Sequence, residues 1–177
     1  MKTLQTKRLY LRSLELADAS SIYELMNSRE IAARLLNVQY PYTQEAANDF
    51  VYYAQQQGRN GKAFIWGIVH QTVLIGMIEL SLCLQHHSAE VGYWLGVSFW
   101  NQGYATEALQ CVLSYAFDEL KLHRVYAVCF VDNKASARVL QKVGMQHEGT
   151  LRQHYFHWGE YHDVAYFGLL HQDRLSK

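Results

Sequence analysis

Ser98-Phe99-Trp100-Asn101-Gln102-Gly103-Tyr104-Ala105-Thr106-Glu107-Ala108-Leu109 joins the end of an apolar run to the start of an amphipathic helix. Such a junction binds anions. The first N–H groups of a helix have no acceptor within it, and the aligned peptide dipoles add roughly half a positive charge at that end. Gly103 lets a ligand approach the backbone closely, and Ala105 keeps the first turn free of bulk. Ala108, Leu109, Val112, Ala116 and Leu120 recur at three- and four-residue spacing, which pins the helix to a core. The stretch lacks the Gly-Lys-Ser/Thr run and adjoining magnesium carboxylate of a phosphotransferase, so it points to holding phosphate by main chain rather than transferring it.

Other residues offer acid–base chemistry. Glu79 and Glu90 are the acidic residues of an otherwise apolar stretch; if the intervening turn is symmetric, both share one strand face with Trp94 and could draw a cation or accept a proton. Each is equally compatible with a solvated strand position. Ser136 and Asn133 fall at the start of a helix, where such residues cap the backbone or meet a ligand. Cys83, Cys111 and Cys129 are isolated, odd in number and without a neighbouring histidine, a pattern of free thiols rather than of a disulfide frame or a nucleophile. His154, His157 and His162 flank a hairpin without a matching acidic or thiol set, so no metal is expected. Tyr40, Pro41, Tyr42, Tyr52 and Tyr53 could line a ligand cleft, pack a core or face a second copy.

These residues need elements to hold them. Residues 6–14 alternate as a strand, Asp18 can cap a helix carrying Ile22, Leu25 and Met26, residues 31–36 form a short helical piece, and Thr43 caps a helix through Phe50, Val51 and Ala54 that Gly58 can end. Then the period changes. Residues 63–69, 73–84 and 89–97 read as an antiparallel meander, 124–131 as a buried strand, 133–143 as a helix ended by Gly144, and 145–157 with 161–170 as a hairpin. Strand, anion-binding helix and strand form a crossover, so 89–97 and 124–131 should lie parallel and adjacent, with a ligand at their carboxyl ends.

The 177 residues, 50% of them hydrophobic, suit a single domain spanning 1–177. Lys plus Arg and Asp plus Glu both number 16, so no net field exists to attract nucleic acid or an anionic membrane. No run approaches the roughly 18 apolar residues of a membrane span, and the amino terminus has no signal-peptide apolar region, which makes the cytoplasm the expected location.

Five segments carry a family likeness: Thr6-Lys7-Arg8-Leu9-Tyr10-Leu11-Arg12; Ala89-Glu90-Val91-Gly92-Tyr93-Trp94-Leu95; Trp100 through Ala108; Asp132-Asn133-Lys134-Ala135-Ser136-Ala137-Arg138 continuing to Met145; and Glu148-Gly149-Thr150-Leu151-Arg152. In this order they resemble the GNAT superfamily of acyl-CoA-dependent N-acyltransferases, in particular the RimJ/RimL branch of ribosomal-protein N-terminal acetyltransferases. The resemblance implies an α/β (α+β) fold with a mixed, mostly antiparallel sheet of about seven strands, splayed at the centre and flanked by about four helices. It implies acetyl-CoA as the donor, its pyrophosphate cradled by the backbone of Asn101, Gln102, Gly103, Tyr104 and Ala105. Leu95, Gly96 and Val97 would pair with the pantetheine as an added strand, Asn133 would hold pantetheine near its sulfur, and Lys134 and Arg138 would meet phosphate charge. A homodimer is a family habit.

Two positions depart from that pattern. Trp100 stands where the loop often begins with Gln or Arg, and Leu140 stands where many members carry a tyrosine that protonates the leaving thiolate. Some relatives use the serine that here is Ser136, with a companion carboxylate at the position of Tyr155. Acetyl transfer needs a neutral amine, a polarised thioester and a tolerable leaving group. An α-amino group of pKa about 7.7 to 8.0 needs far less help from a base than a lysine at about 10.4, and a thiolate of pKa about 8.5 departs readily. The expected activity is therefore direct acetyl transfer to a primary amine, foremost a protein N-terminus, with Ser136 and Glu90 as the catalytic candidates. A polyamine or antibiotic acceptor and a non-catalytic acyl-CoA-binding module are the alternatives.

Overall fold

The computed structural model describes residues 1–175, so the last two positions of the 1–177 span lie outside the described residues. In chain order the elements are β1 (Leu4–Gln5), β2 (Leu9–Ser13), α1 (Asp18–Met26), α2 (Arg29–Ala32), α3 (Gln44–Arg59), β3 (Ala63–His70), β4 (Val73–Cys83), β5 (Ser88–Leu95), α4 (Tyr104–Ser114), β6 (Arg124–Phe130), α5 (Lys134–Lys142), β7 (Gln146–His157), β8 (Glu160–Leu170) and α6 (His171–Leu175). The strands form one sheet in the order β1-β2-β3-β4-β5-β6-β8-β7. Only β5 and β6 run parallel, as a helical crossover requires; every other neighbouring pair is antiparallel. Among the described residues no helix is long and apolar enough to cross a membrane.

Each face of the sheet has its own core. Period-two alternation sends Ile78, Leu80, Val91 and Leu95 to one side, where Ala108, Leu109, Val112 and Ala116 of the α4 segment and Leu140 of α5 cover them. The other side carries Ile65 and Met77 under Ile22 and Met26 of α1 and Ala47, Val51 and Ala54 of α3. Thr43 caps α3 by accepting from the Ala46 N–H at 3.1 Å.

Several boundaries differ from the sequence expectations for identifiable reasons. The sheet has eight strands rather than seven because Leu4–Gln5 pairs with β2, a segment too short to show alternation. Asp18 does not cap α1 but is its first residue: its carboxylate accepts from Arg12 at 2.7 and 2.8 Å and from the Glu15 N–H at 2.8 Å. Helix α3 passes through Gly58, and the left-handed turn falls at Gly61. Strand β5 stops at Leu95, two residues short, because Val97–Phe99 turns as a 3-10 helix.

The β4–β5 pairing depends on one close approach. A Cβ on Gly76 would sit 2.2 Å from the Trp94 carbonyl oxygen and 2.8 Å from the Leu95 Cα, whereas one on Gly92 would meet nothing within 4 Å. Gly76→Ala should therefore lower unfolding stability by about 1–3 kcal/mol, read as a fall in urea midpoint at constant m, while Gly92→Ala stays near wild type.

Candidate active site

Strands β5 and β6 pair at only three positions, Ser88 with Arg124, Ala89 with Val125 and Glu90 with Tyr126. Beyond Glu90, β5 stays with β4 as far as Gly76 opposite Leu95, while β6 follows β8 as far as Phe130 opposite Val164. The sheet thus opens at its centre. A cavity of about 770 Å³ fills the gap and continues on both faces, from Asn101, Gly103 and Ala105 at one end to Tyr42, Phe50 and Met77 at the other.

The loop before α4 is held by the turn between β1 and β2. Asn101 and Gly103 have left-handed φ of 59° and 81°, and α4 starts at Tyr104 with Gly103 as its cap. Glu107 in the first turn accepts from the Thr6 hydroxyl at 2.6 Å, the Arg8 main-chain N–H at 2.9 Å and the Arg8 Nε at 2.6 Å. Arg8 also donates to the Gln102 carbonyl at 3.0 Å and lies 4.5 Å over the Tyr104 ring. Burial would raise the Glu107 carboxyl, but the hydrogen bonds from Thr6 and Arg8 hold it below its ordinary value. With the dipole of α4 and the left-handed backbone beside it, the loop fits a pyrophosphate, and Arg138 and Lys142 add positive charge to the same wall.

Of the residues expected at the cofactor, Leu95, Asn101, Gly103, Tyr104, Ala105, Asn133 and Arg138 line the cavity. Gln102, Gly96, Val97 and Lys134 lie outside its lining. Gln102 folds its side chain back onto the Ser98 carbonyl at 2.9 Å. The Gly96 N–H bonds to the Ile75 carbonyl at 2.9 Å, Val97 is turned outward at 41% exposure, and the Leu95 carbonyl accepts the Trp100 indole N–H at 2.8 Å. The Gly96 bond lies on the β4 side of the strand; residues 91–95 line the cavity, and Trp100 holds the Leu95 carbonyl at the end of that stretch. Lys134 is exposed, and Lys142, one turn beyond Arg138 on α5, occupies the wall instead. Its i, i+4 spacing from Arg138 was the available signal.

The candidate acid–base residues divide between the two faces. Glu79 stands opposite Gly92 and Glu90 opposite Ser81, so the two carboxylates are diagonal neighbours on the face that also carries Trp94. Burial pushes the Glu90 carboxyl up, a hydrogen bond from Tyr126 opposes this, and Glu79 adds to the rise. Glu79 accepts from the Ser81 hydroxyl at 2.5 Å. On the opposite face Asn133 caps α5, accepting from the Ser136 N–H at 3.1 Å, and the Ser136 hydroxyl lies 3.0 Å from the Tyr93 hydroxyl. Leu140 is fully buried in the core, and Tyr155 packs edge-on against Phe130. Among the described residues no histidine, cysteine and carboxylate group could hold a metal. Of the aromatic cluster, Tyr42 lines the cavity while Tyr40, Tyr52 and Tyr53 are exposed.

The sheet is thus splayed, with the loop before α4 on one face of the cavity and the carboxylates of Glu79 and Glu90 on the other. Residues 8–146 match the family model described as an acetyltransferase (GNAT) domain, and the chain belongs to that family of N-acetyltransferases. It is 31% identical over 170 residues to the uncharacterized N-acetyltransferase YnaD of Bacillus subtilis (strain 168), covering 96% of this chain and 98% of that one. It is 27% identical over 171 residues to a spermidine N(1)-acetyltransferase of Vibrio cholerae, covering 96% and 97%. Among solved structures, the ribosomal alpha-N-protein acetyltransferase RimL in complex with coenzyme A superposes with a TM-score of 0.89 at 25% identity, covering 96% of this chain and 98% of that one.

Two outcomes test the loop. Gly103→Val, forced into a left-handed conformation at the anion site, should weaken acetyl-CoA binding in calorimetry by about tenfold or more. Glu107→Gln should lower the melting temperature at neutral pH. Because the Glu107 pKa is depressed, its stabilisation is complete above the ordinary carboxylate value of 4.5 and fades as pH falls through the lower folded value, so the gap between wild type and variant should close on acidification.

Proposed function

We propose that the protein transfers an acetyl group from acetyl-CoA to the α-amino group of a protein N-terminus, by direct attack within a ternary complex. The observation that carries this reading is the passage of one cavity through the splayed sheet, with the phosphate-binding loop on one face and an apolar chamber on the other. That chamber is walled by Met26, Ile31, Phe50, Met77 and Trp94, with Glu79 and Glu90 at its sheet side and Arg34 at 5.3 Å from the Trp100 ring. Such a wall suits one amine carried on an apolar body. A polyamine, with several cations to satisfy, would lose hydration against it. The spermidine-acetylating relative is the counterweight, and the likeness to RimL supports the peptide reading.

The residues then take roles set by their faces. Main-chain N–H groups at Asn101, Gly103, Tyr104 and Ala105, with Arg138 and Lys142, bind the pyrophosphate, and the edge at 91–95 offers hydrogen bonds to the pantetheine amides, which would otherwise lose them on burial. Glu90, its pKa raised, draws the ammonium and accepts its proton; an α-amine needs only this modest base. The nitrogen attacks the thioester carbonyl, the C–S bond breaks, and Ser136 delivers a proton to the sulfur. Cys129 lines the same cavity, but burial pushes its thiol up, which keeps it protonated and disfavours an acetyl-enzyme.

Thiol release from acetyl-CoA should be measured against N-terminal peptides, spermidine and amine drugs, with coenzyme binding followed by calorimetry. Turnover greatest with peptides bearing an apolar first residue is the expected outcome; turnover confined to spermidine would name a polyamine enzyme, and tight coenzyme binding without any turnover would mark a binding module. Glu90→Gln should reduce kcat/KM for the amine by about tenfold to a hundredfold, with acetyl-CoA affinity unchanged.

A further inference from the structure

We propose that Tyr93 is the positioning residue that aims the Ser136 hydroxyl at the departing coenzyme A sulfur, supplying from β5 the phenol that Leu140 does not supply from α5. This rests on the reading of Ser136 as the proton donor. Tyr93 alternates with Val91 and Leu95 on the α4–α5 face, opposite Glu90 and Trp94, and it lines the cavity together with Ser136. Its hydroxyl is 3.0 Å from the Ser136 Oγ and 3.3 Å from the Ser136 carbonyl oxygen, so one phenol meets both polar atoms of the same residue.

A phenol has one proton, and these two acceptors compete for it. When Tyr93 donates to the Ser136 carbonyl, it can only accept from the Ser136 hydroxyl, and the serine proton is then engaged on the phenol oxygen. When Tyr93 donates to Oγ instead, the serine proton is released towards the sulfur. Charge developing on the sulfur favours the second arrangement, because an Oγ giving up its proton becomes the better acceptor. The C–S electron pair goes to sulfur, the serine proton follows it, and the proton the amine surrenders on becoming an amide restores Ser136 through solvent. Tyr93 keeps its own proton throughout. Burial pushes its phenol up, against the opposing hydrogen bond to Ser136, and so keeps it a donor over the neutral range. The Cys129 thiol also lies within reach of Ser136 as a hydrogen-bond partner.

A double-mutant cycle separates this from core filling, since phenylalanine keeps the ring. Tyr93→Phe should lower kcat about tenfold and leave acetyl-CoA affinity and melting temperature in place, and the double variant should be no slower than Ser136→Ala alone. Losses that multiply in the double variant, or a wild-type kcat for Tyr93→Phe beside a slow Ser136→Ala, would overturn the role of Tyr93 while leaving Ser136 standing. A wild-type rate for Ser136→Ala would remove the proton donor itself, and the proposal with it. Should Tyr93→Phe fold poorly, 3-fluorotyrosine placed at position 93 keeps the shape with a more acidic phenol; a change in the pH profile of kcat supports the relay, and an unchanged profile counts against it.

Discussion

The parting of β5 from β6 after Glu90 and Tyr126 is the constraint on which the rest of this structure depends. A strand edge inside a sheet carries backbone donors and acceptors whose burial without partners is costly, so a gap at the centre persists only if something else manages both edges. Here β4 holds β5 and β8 holds β6 on their outer sides. Trp100 closes the end of the β5 edge through the Leu95 carbonyl, and the Gly96 N–H is tied to Ile75. Between these ties the inner edges line the cavity. The same divergence lets one cavity reach both faces, which no continuous sheet would allow.

Holding the gap open places demands far away from it. The core on the α4–α5 face runs across both halves of the sheet, from Leu9 and Leu11 through Leu80 and Val91 to Val125 and Phe167, and so joins them where β5 and β6 no longer pair. The loop before α4 is fixed from outside by the turn between β1 and β2: Thr6 and Arg8 converge on Glu107, and Arg8 reaches on to the Gln102 carbonyl. A partly buried ion pair with this many hydrogen bonds contributes more to geometry than to net stability, because desolvation offsets much of its attraction. It holds a glycine turn at a defined place above the cavity.

Much of this was legible in the residues and some was not, for physical reasons. Period-two alternation placed Glu79, Glu90 and Trp94 on one face, and the register of β4 against β5 puts them there. Tyr93, on the opposite face, was not singled out: its contact with Ser136 joins residues 43 apart and follows only from the crossover geometry. The helix preceded by Gly103 stood out because caps, dipole and apolar spacing are local properties. The extent of β5 did not, since Leu95, Gly96 and Val97 are all compatible with a strand, and the 3-10 turn is selected by tertiary bonds to Ile75 and Trp100. Likewise Asp18 has the residue type of a cap, but Arg12 offered its carboxylate a stronger, charged partner.

The division of charge between the faces bears on why the chemistry needs so little apparatus. Cations and backbone N–H groups gather where the donor's phosphates would bind, while Glu79 and Glu90 stand on the other side of the sheet in an apolar chamber. If carboxylates shared the phosphate face, mutual repulsion would weaken binding; if the cations of α5 stood beside Glu90, they would depress its pKa and blunt it as a base. Separation by the thickness of the sheet avoids both. In the proposed reaction the amine and the thioester would meet in the gap, where low polarity strengthens each remaining interaction. In that reaction an α-amine that titrates near neutrality and a thiolate that leaves readily would ask for one modest base and one well-aimed hydroxyl, and a carboxylate and a hydroxyl stand on the opposite walls of the cavity.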